Sequence, residues 1–391
     1  MKEPLSVYIH IPFCVRKCRY CDFFSAPCGD GQRAAYAAAL TREIREYPLL
    51  PDDPAAEESG KYDVVSVYIG GGTPSVLKTK ETESILAAVF DRFGITDPEQ
   101  CEITMEVNPG TVGREDLRAL RQAGINRLSI GIQSFNDDEL VLLGRIHTAA
   151  GACAALDAAA KAGFENISLD LIGALPGQTL DSYMSSVRRA VSFRPQHISV
   201  YSLIIEPGTE FCAMLEDGRL PELPDEDTER QMAHECQRYL EENGYRRYEI
   251  SNYSRPGYMS RHNSGYWTGR QYRGFGAGAS SLIGNTRFSS EADTDGYIRA
   301  VNAGERIPCT SEHLSTEDRM EEFMFLGLRM RDGISAKDFE SLFGCSLDTV
   351  YGNVLKQQEE KGLIIRCNDR VMLTDYGTDV SNRVMAQFLL D

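Results

Sequence analysis

No run of about 18 or more apolar residues occurs in the sequence, which excludes an obvious membrane-spanning helix. The start, Met1–Ser6, lacks the basic residues and apolar stretch of an export signal, so a cytoplasmic protein is expected. Positive charge is scarce: 41 Lys and Arg stand against 58 Asp and Glu, a formal net charge of −17 over 391 residues. A surface that acidic repels phosphate backbones and anionic lipid, so the expectation is no nucleic acid partner and no stable membrane insertion. Tryptophan occurs once, histidine six times, and no internal repeat or low-complexity tract stands out. What remains is ordinary soluble composition, 42% hydrophobic and 25% charged, long enough for two or three domains. Eleven cysteines in a reducing compartment should be mostly thiols, so a tight cysteine cluster reads first as a metal site.

From Leu5 to about Leu203, short β-type runs alternate with helical stretches. The strands expected are Leu5–Ile11, Val64–Ile69, Glu102–Glu106, Arg127–Ile130, Ile167–Leu171 and His197–Leu203. The helices expected between them include Ala34–Tyr47, Ser84–Phe93, Arg114–Ala123, Gly151–Ala162 and Leu180–Val191. Six strand–helix units are the pattern of a parallel sheet with helices outside, two short of a closed eight-unit barrel. The fold class expected is α/β, a partial (β/α)6 TIM-type barrel, with its chemistry at the carboxyl ends of the strands. Residues 1–205 would form this core. Residues 206–313 read as a less regular extension, with an acidic helix at Asp225–Asn243 and a Tyr/Gly/Arg-rich stretch at Tyr245–Gly284. Residues 314–391 carry three helical patterns, Ser315–Met330, Ala336–Phe343 and Leu347–Lys361. The short β runs Leu363–Arg366 and Val371–Leu373 follow, around an Asn368–Asp369 turn signal, as in a winged-helix-like α+β domain. Nine basic against fourteen acidic residues from Leu314 onward argue against DNA binding there and for a lid or docking module.

The strongest signal is Cys14-Val-Arg-Lys-Cys18-Arg-Tyr-Cys21, directly after the first expected strand. Its spacing lets three thiolates converge from one short loop, one fewer than a saturated iron–sulfur cluster takes. A [4Fe–4S] cluster held this way keeps one iron open. Structural zinc wants four ligands, and Cys28 is the available fourth, but such sites usually come as two paired half-motifs.

Together with Tyr8-Ile-His-Ile-Pro-Phe-Cys14 and Tyr20-Cys21-Asp-Phe, this loop resembles the radical S-adenosylmethionine superfamily, specifically its coproporphyrinogen dehydrogenase-like branch, over nearly the whole chain. The resemblance implies that the open iron is chelated by S-adenosylmethionine, which one-electron reduction from an electron donor cleaves to a 5′-deoxyadenosyl radical. The motifs Gly70-Gly71-Gly72-Thr73-Pro74, Met105-Glu106-Val107-Asn108-Pro109, Gly131-Ile132-Gln133 and Leu169-Asp170-Leu171 fall at or just after expected strands, and Arg145 stands in Leu143-Gly144-Arg145-Ile146-His147. By resemblance, Tyr8, Tyr20, Gly71, Gly72, Thr73, Glu106, Gln133, Arg145 and Asp170 line the S-adenosylmethionine site, with Ile204 and Ser280 as looser matches. The Gly274–Gly278 stretch is not a dinucleotide fingerprint.

Within the branch, the dehydrogenase carries a further cysteine where this chain has Phe23, and a substantial N-terminal extension where only thirteen residues precede Cys14. Arg261-His262-Asn263-Ser264-Gly265-Tyr266-Trp267 is similar instead to the HNxxYW signature of HemW-type haem chaperones. That resemblance implies a protein that binds haem and passes it to an acceptor protein. Imidazole is a common axial iron ligand, and Tyr266 and Trp267 offer flat apolar surface, so His262, Tyr266 and Trp267 are the haem candidates. A hydrogen-bonded loop histidine is an equally open reading of His262, and His10 is a weaker candidate with an expected structural role. The rival functions are oxygen-independent oxidative decarboxylation of coproporphyrinogen III and radical-dependent modification of haem.

Overall fold

The computed structural model describes residues 2–51 and 59–390; Met1 and Asp391, the outer ends of the first and last expected segments, lie outside them. Six strands run through the first half: β1 Glu3–Ile11, β2 Tyr62–Gly71, β3 Glu102–Val107, β4 Arg127–Gln133, β5 Ile167–Gly173 and β6 His197–Ser202. Each pairs in parallel with the next in sequence, and helices form the crossovers. The second half adds β7 Arg246–Arg247, β8 Asn252–Ser254, β9 Gln271–Phe275, β10 Ser280–Ile283, β11 Thr286–Ser290 and β12 Cys309–His313. All twelve join one open sheet, in the order β12-β11-β10-β9-β1-β2-β3-β4-β5-β6-β8-β7. The expected α/β partial barrel is therefore present, with one addition. β9 lies parallel to β1 and makes a seventh parallel strand from the Tyr/Gly/Arg-rich stretch, where none was expected.

Side chains alternate along these strands, and the two faces differ in chemistry. Leu5, Val7, Ile9 and Ile11 of β1, Ile103 and Met105 of β3, and Leu128 and Ile130 of β4 are buried in one continuous core with helix residues such as Leu40, Ile85 and Val89. The intervening positions are polar and pair across neighbouring strands. Ser66 donates to Ser6 at 3.0 Å, Tyr68 to Glu106 at 2.8 Å and Ser129 to Asp170 at 2.9 Å, while Ser168 meets His197 at 2.7 Å. A fully closed barrel fills its interior with branched apolar side chains. Here the concave face is a hydrogen-bonded polar surface, one that favours a polar ligand over simple packing.

The last segment has its own core of Met324, Phe339, Tyr351, Leu355, Val371 and Phe388. Helices Thr316–Gly327, Ala336–Phe343 and Leu347–Glu360 precede a hairpin of β14 Ile364–Cys367 and β15 Arg370–Leu373. The short β13 Ile334–Ser335, absent from the sequence reading, pairs with β15 to complete a three-stranded, winged-helix-like unit. It meets the barrel through the Arg329 guanidinium over the Trp267 ring (4.3 Å), Arg287–Glu322 (2.6 Å) and His234–Asp379 (2.9 Å).

Candidate functional site

A cavity of about 370 Å³ opens at the carboxyl ends of the parallel strands. The loop after β1 forms one wall. It leaves and rejoins the sheet at Cys14 and Ala26, where Cys14 N donates to Ala26 O and Ala26 N to Pro12 O, both at 3.1 Å. Between those points, Arg19 N donates to Leu143 O (3.1 Å), and Arg16 donates to Gly144 O (2.6 Å). The loop is thus tied to the turn that carries Arg145.

Cys14, Cys18 and Cys21 are free, half-buried thiols on this wall. Burial pushes the Cys21 thiol up to about 11, with Cys18 and Cys14 close enough to add to the effect. Cys28 does not line the cavity; it packs against the apolar core. Among the described residues, no three His, Cys, Asp or Glu side chains gather around a single-ion site. Three thiols spread over one wall suit ligands that each hold a different iron of one cube.

Two polar side chains reach the sulfurs. Thr73 Oγ1 donates to Cys14 Sγ at 3.4 Å and accepts from Asn108 Nδ2 at 2.7 Å. Arg145 donates to Cys18 Sγ at 3.5 Å, to Gly131 O at 2.6 Å and to Asn108 Oδ1. Asn108 therefore links the two groups that touch cysteine sulfur. Arg145 Nε is buried without a partner, an unspent donor beside the thiols. The donor set and its polar frame fit a cluster with an open iron and an amino-acid ligand upon it.

The three-glycine run has a structural duty as well. Gly71 lies at φ +109°, and a Cβ there would meet the His10 ring at 2.5 Å; at Gly72 it would meet Phe13 O at 2.6 Å. Gly72 N and Thr73 N donate to Ile11 O and Phe13 O, so the run lets β2 close on the start of the cysteine loop. His10 holds the far side of that loop, with Nε2 3.0 Å from Phe24 O and Nδ1 3.0 Å from Tyr8 OH, the structural role expected of it.

Glu106 presents its carboxylate between Tyr68 OH (2.8 Å) and Gly71 N (3.2 Å), and burial raises it to about 7. Asp170 is also raised, by burial against the opposing pull of the Ser199 and Ser129 hydroxyls. Gln133 ends β4 at φ +68°, next to a register shift in the β4–β5 pairing. Strained backbone of this kind concentrates at functional sites, where it aims a side chain.

Of the expected cofactor residues, Tyr20, Gly71, Gly72, Thr73, Glu106, Gln133, Arg145, Asp170 and Ile204 line this one cavity with the three cysteines. Tyr8 lies off its wall, against His10 and stacked 6.3 Å from Tyr68. Ser280 is also off it, on β10 with its hydroxyl against Ser289. Unforeseen members include Tyr68, Asn108, Arg127, Ser129, Ser199, Tyr201 and Asn263. Arg127 is 1% exposed, and its Nε has no partner. The signal for Asn108 was its place in the quoted Glu106 motif; the isolated Arg127 and the serines carried none.

The haem candidates are placed differently from the expectation. His262 is 1% exposed, with Nδ1 3.1 Å from Ser66 Oγ and Nε2 3.0 Å from Tyr266 OH, so neither nitrogen is presented to iron. The hydrogen-bonded reading describes it. The flat surface expected of its neighbours is taken up internally: Tyr266 packs edge-on against Tyr272 (4.8 Å), and Trp267 lies beneath Arg329.

Comparison with known proteins agrees with this geometry. The model of the radical SAM superfamily matches residues 8–190, and that of the HemN C-terminal domain matches residues 314–380. The chain is 39% identical to the haem chaperone HemW of Bacillus subtilis, covering 98% of this chain and 99% of that one. It is 36% identical to HemW of Lactococcus lactis (100% and 99% covered) and 33% identical to HemW of Escherichia coli (99% and 99%). Among solved structures, coproporphyrinogen III oxidase (HemN) from Escherichia coli superposes with a TM-score of 0.82 at 22% identity. That match covers 99% of this chain and 90% of that one, a likeness of fold. By its full-length identity to these relatives, and by the three-cysteine loop and strand-end cavity it carries, the chain belongs to the HemW family of radical SAM proteins.

Proposed function

We propose that this chain is a haem chaperone that holds a [4Fe–4S] cluster and S-adenosylmethionine, binds haem, and hands it to an acceptor protein. The observation that carries the reading is identity of 33–39% over essentially the whole chain to proteins named as haem chaperones. Cys14, Cys18 and Cys21 would hold the cluster, which when bound with S-adenosylmethionine supplies one-electron chemistry drawn from an external donor. Arg145 and Asn108 offer charge-assisted and neutral hydrogen bonds beside the thiols, suited to a carboxylate. Glu106 and Asp170, on adjoining parts of the cavity wall, suit ribose hydroxyls. The backbone at Gly71 and Gly72 brings the wall close to the ligand. The division into a core at 1–205, an extension at 206–313 and a terminal module at 314–391 is part of the same proposal. So is a cytoplasmic site of action; among the described residues, no helix is long and apolar enough to cross a membrane. Haem ligation is not assigned to His262, whose nitrogens are both engaged.

Oxidative decarboxylation of coproporphyrinogen III is the second reading, favoured by the shared fold with coproporphyrinogen III oxidase. Against it stands Phe23, 63% exposed on the cavity wall in place of that branch's additional cysteine. Titration of purified protein with haemin is the test. A saturable shift of the Soret band, with no porphyrinogen turnover in an anaerobic assay containing reductant and S-adenosylmethionine, is expected. Stoichiometric protoporphyrinogen formation would promote the second reading.

A further inference from the structure

The HNxxYW helix, Arg261–Trp267, starts beside Glu102 at the N-terminal end of β3, with His262 buried and Asn263 on the cavity wall. Its first turn is held by a carboxylate from β3. Glu102 accepts from Arg261 N and His262 N, both at 2.9 Å, and from Ser260 Oγ at 3.3 Å. The His262 ring then lies flat under Tyr68, 4.9 Å between centroids at 28°, and meets the Tyr266 ring edge-on at 5.1 Å. Ser66 commits its hydrogen to Ser6, so Nδ1 of a neutral imidazole donates to Ser66 Oγ and Nε2 accepts from Tyr266.

Above this floor, the Tyr68 ring passes close beside Gly70. A Cβ at Gly70 would sit 2.8 Å from that ring, so the glycine makes the space through which Tyr68 passes. Its hydroxyl ends on Glu106 Oε1, in the cavity wall. The helix reaches the same cavity through Asn263. A continuous column thus runs Tyr266, His262, Tyr68, Glu106, from the motif to the strand ends.

We infer that His262 and Tyr266 are positioning residues for the S-adenosylmethionine site: by supporting the Tyr68 ring from below, they fix the Glu106 carboxylate where a ribose hydroxyl can reach it. The inference rests on the reading of the cavity as that cofactor's site. It turns the motif from a haem ligand set into a strut, and couples the nucleotide pocket to the helix on which the terminal module rests through Trp267 and Arg329.

The test is equilibrium binding of S-adenosylmethionine to full-length, anaerobically reconstituted protein, with cluster absorption and haemin titration recorded on the same samples. His262→Ala and Tyr68→Phe are each expected to weaken binding about tenfold with cluster content unchanged. The double variant should bind no worse than Tyr68→Phe alone, since both changes break one column. His262→Gln, which keeps hydrogen-bonding capacity, should recover part of the loss. Tyr266→Phe, which removes one hydroxyl, gives the same direction of effect should His262→Ala fail to fold. Equal binding by wild type, Tyr68→Phe and the His262 and Tyr266 variants would overturn the inference alone, as would additive losses in the double variant. A cluster-loaded wild type that binds no S-adenosylmethionine would overturn both the inference and the reading beneath it. Loss of the haemin shift in His262→Ala with cofactor affinity intact would replace the strut by a ligand.

Discussion

At the scale of single residues, the cavity is governed by groups held in unusual states. Glu106 has its carboxyl raised to about 7 from an ordinary 4.5, first by burial, with the Tyr68 and Gly71 hydrogen bonds pulling the other way. A raised carboxyl favours the protonated form in the fold, so ionising Glu106 costs stability as pH rises from about 4.5 through about 7. A ribosyl ligand donating to that carboxylate favours the ionised form. S-adenosylmethionine affinity is therefore expected to tighten as pH climbs through about 7 and level off above it. Glu106→Gln should bind more weakly and without that pH dependence, read by equilibrium dialysis at constant ionic strength. Gly71 is constrained more simply. Its φ of +109° and the His10 ring 2.5 Å from a notional Cβ leave no room for a side chain. Gly71→Ala should lower the melting temperature, at a cost of roughly 2 kcal/mol or more, and should also loosen the cysteine loop, seen as lower cluster occupancy on reconstitution. Of these residues, the sequence exposed those that sit inside motifs. Arg127 and Ser199 were invisible, because an inward-facing polar residue on a strand looks the same in sequence as an exposed one.

At the scale of elements, the six parallel strands and their helices were legible because each strand carries a compact apolar set bounded by turn residues. Boundaries differ by a few residues, as at β2, which begins at Tyr62 rather than Val64. β9 escaped because the Tyr/Gly/Arg-rich stretch that holds it shows no clear strand pattern. What makes it a strand is tertiary: it pairs with β1, and Arg273 is buried against Glu43 at 3.2 Å. The role of the HNxxYW run stayed open in the sequence for the opposite reason. Its residue types suit a macrocycle, and no sequence pattern shows that Glu102, some 160 positions away, holds its N-terminus inside the barrel. That cap is itself testable. Glu102→Ala leaves two backbone donors and Ser260 without their acceptor, and should destabilise the protein by about 1–3 kcal/mol in chemical denaturation. No measurable loss would mean that the helix is held by other contacts.

At the scale of the whole molecule, a polar concave face, a cysteine loop at its rim and a terminal module buttressing the floor form one arrangement. The open sheet leaves its concave side polar: the strand residues that line the cavity are hydrogen-bonding groups or glycine, apart from Val107 and Ile172 near the carboxyl ends of β3 and β5. The terminal module touches this arrangement through Trp267, the same helix that supports Tyr68 and Glu106. Arg329→Ala removes the cation–π contact and one partner of Glu249, and is expected to weaken module docking. It should raise protease sensitivity near Leu314 with cluster content unchanged. Unaltered digestion would show that the remaining contacts, among them Arg287–Glu322, His234–Asp379, Arg247–Asp375 and the Arg331 N to Tyr248 O hydrogen bond, suffice to hold the module.

The account depends most on three thiols holding one iron–sulfur cube, and metal analysis of oxygen-free preparations reads that directly. The expected result is about four irons and four acid-labile sulfides per chain. Both should be lost together in Cys14→Ala, Cys18→Ala or Cys21→Ala and kept in Cys28→Ala. Zinc without sulfide, or equal loss on changing Cys28, would contradict it.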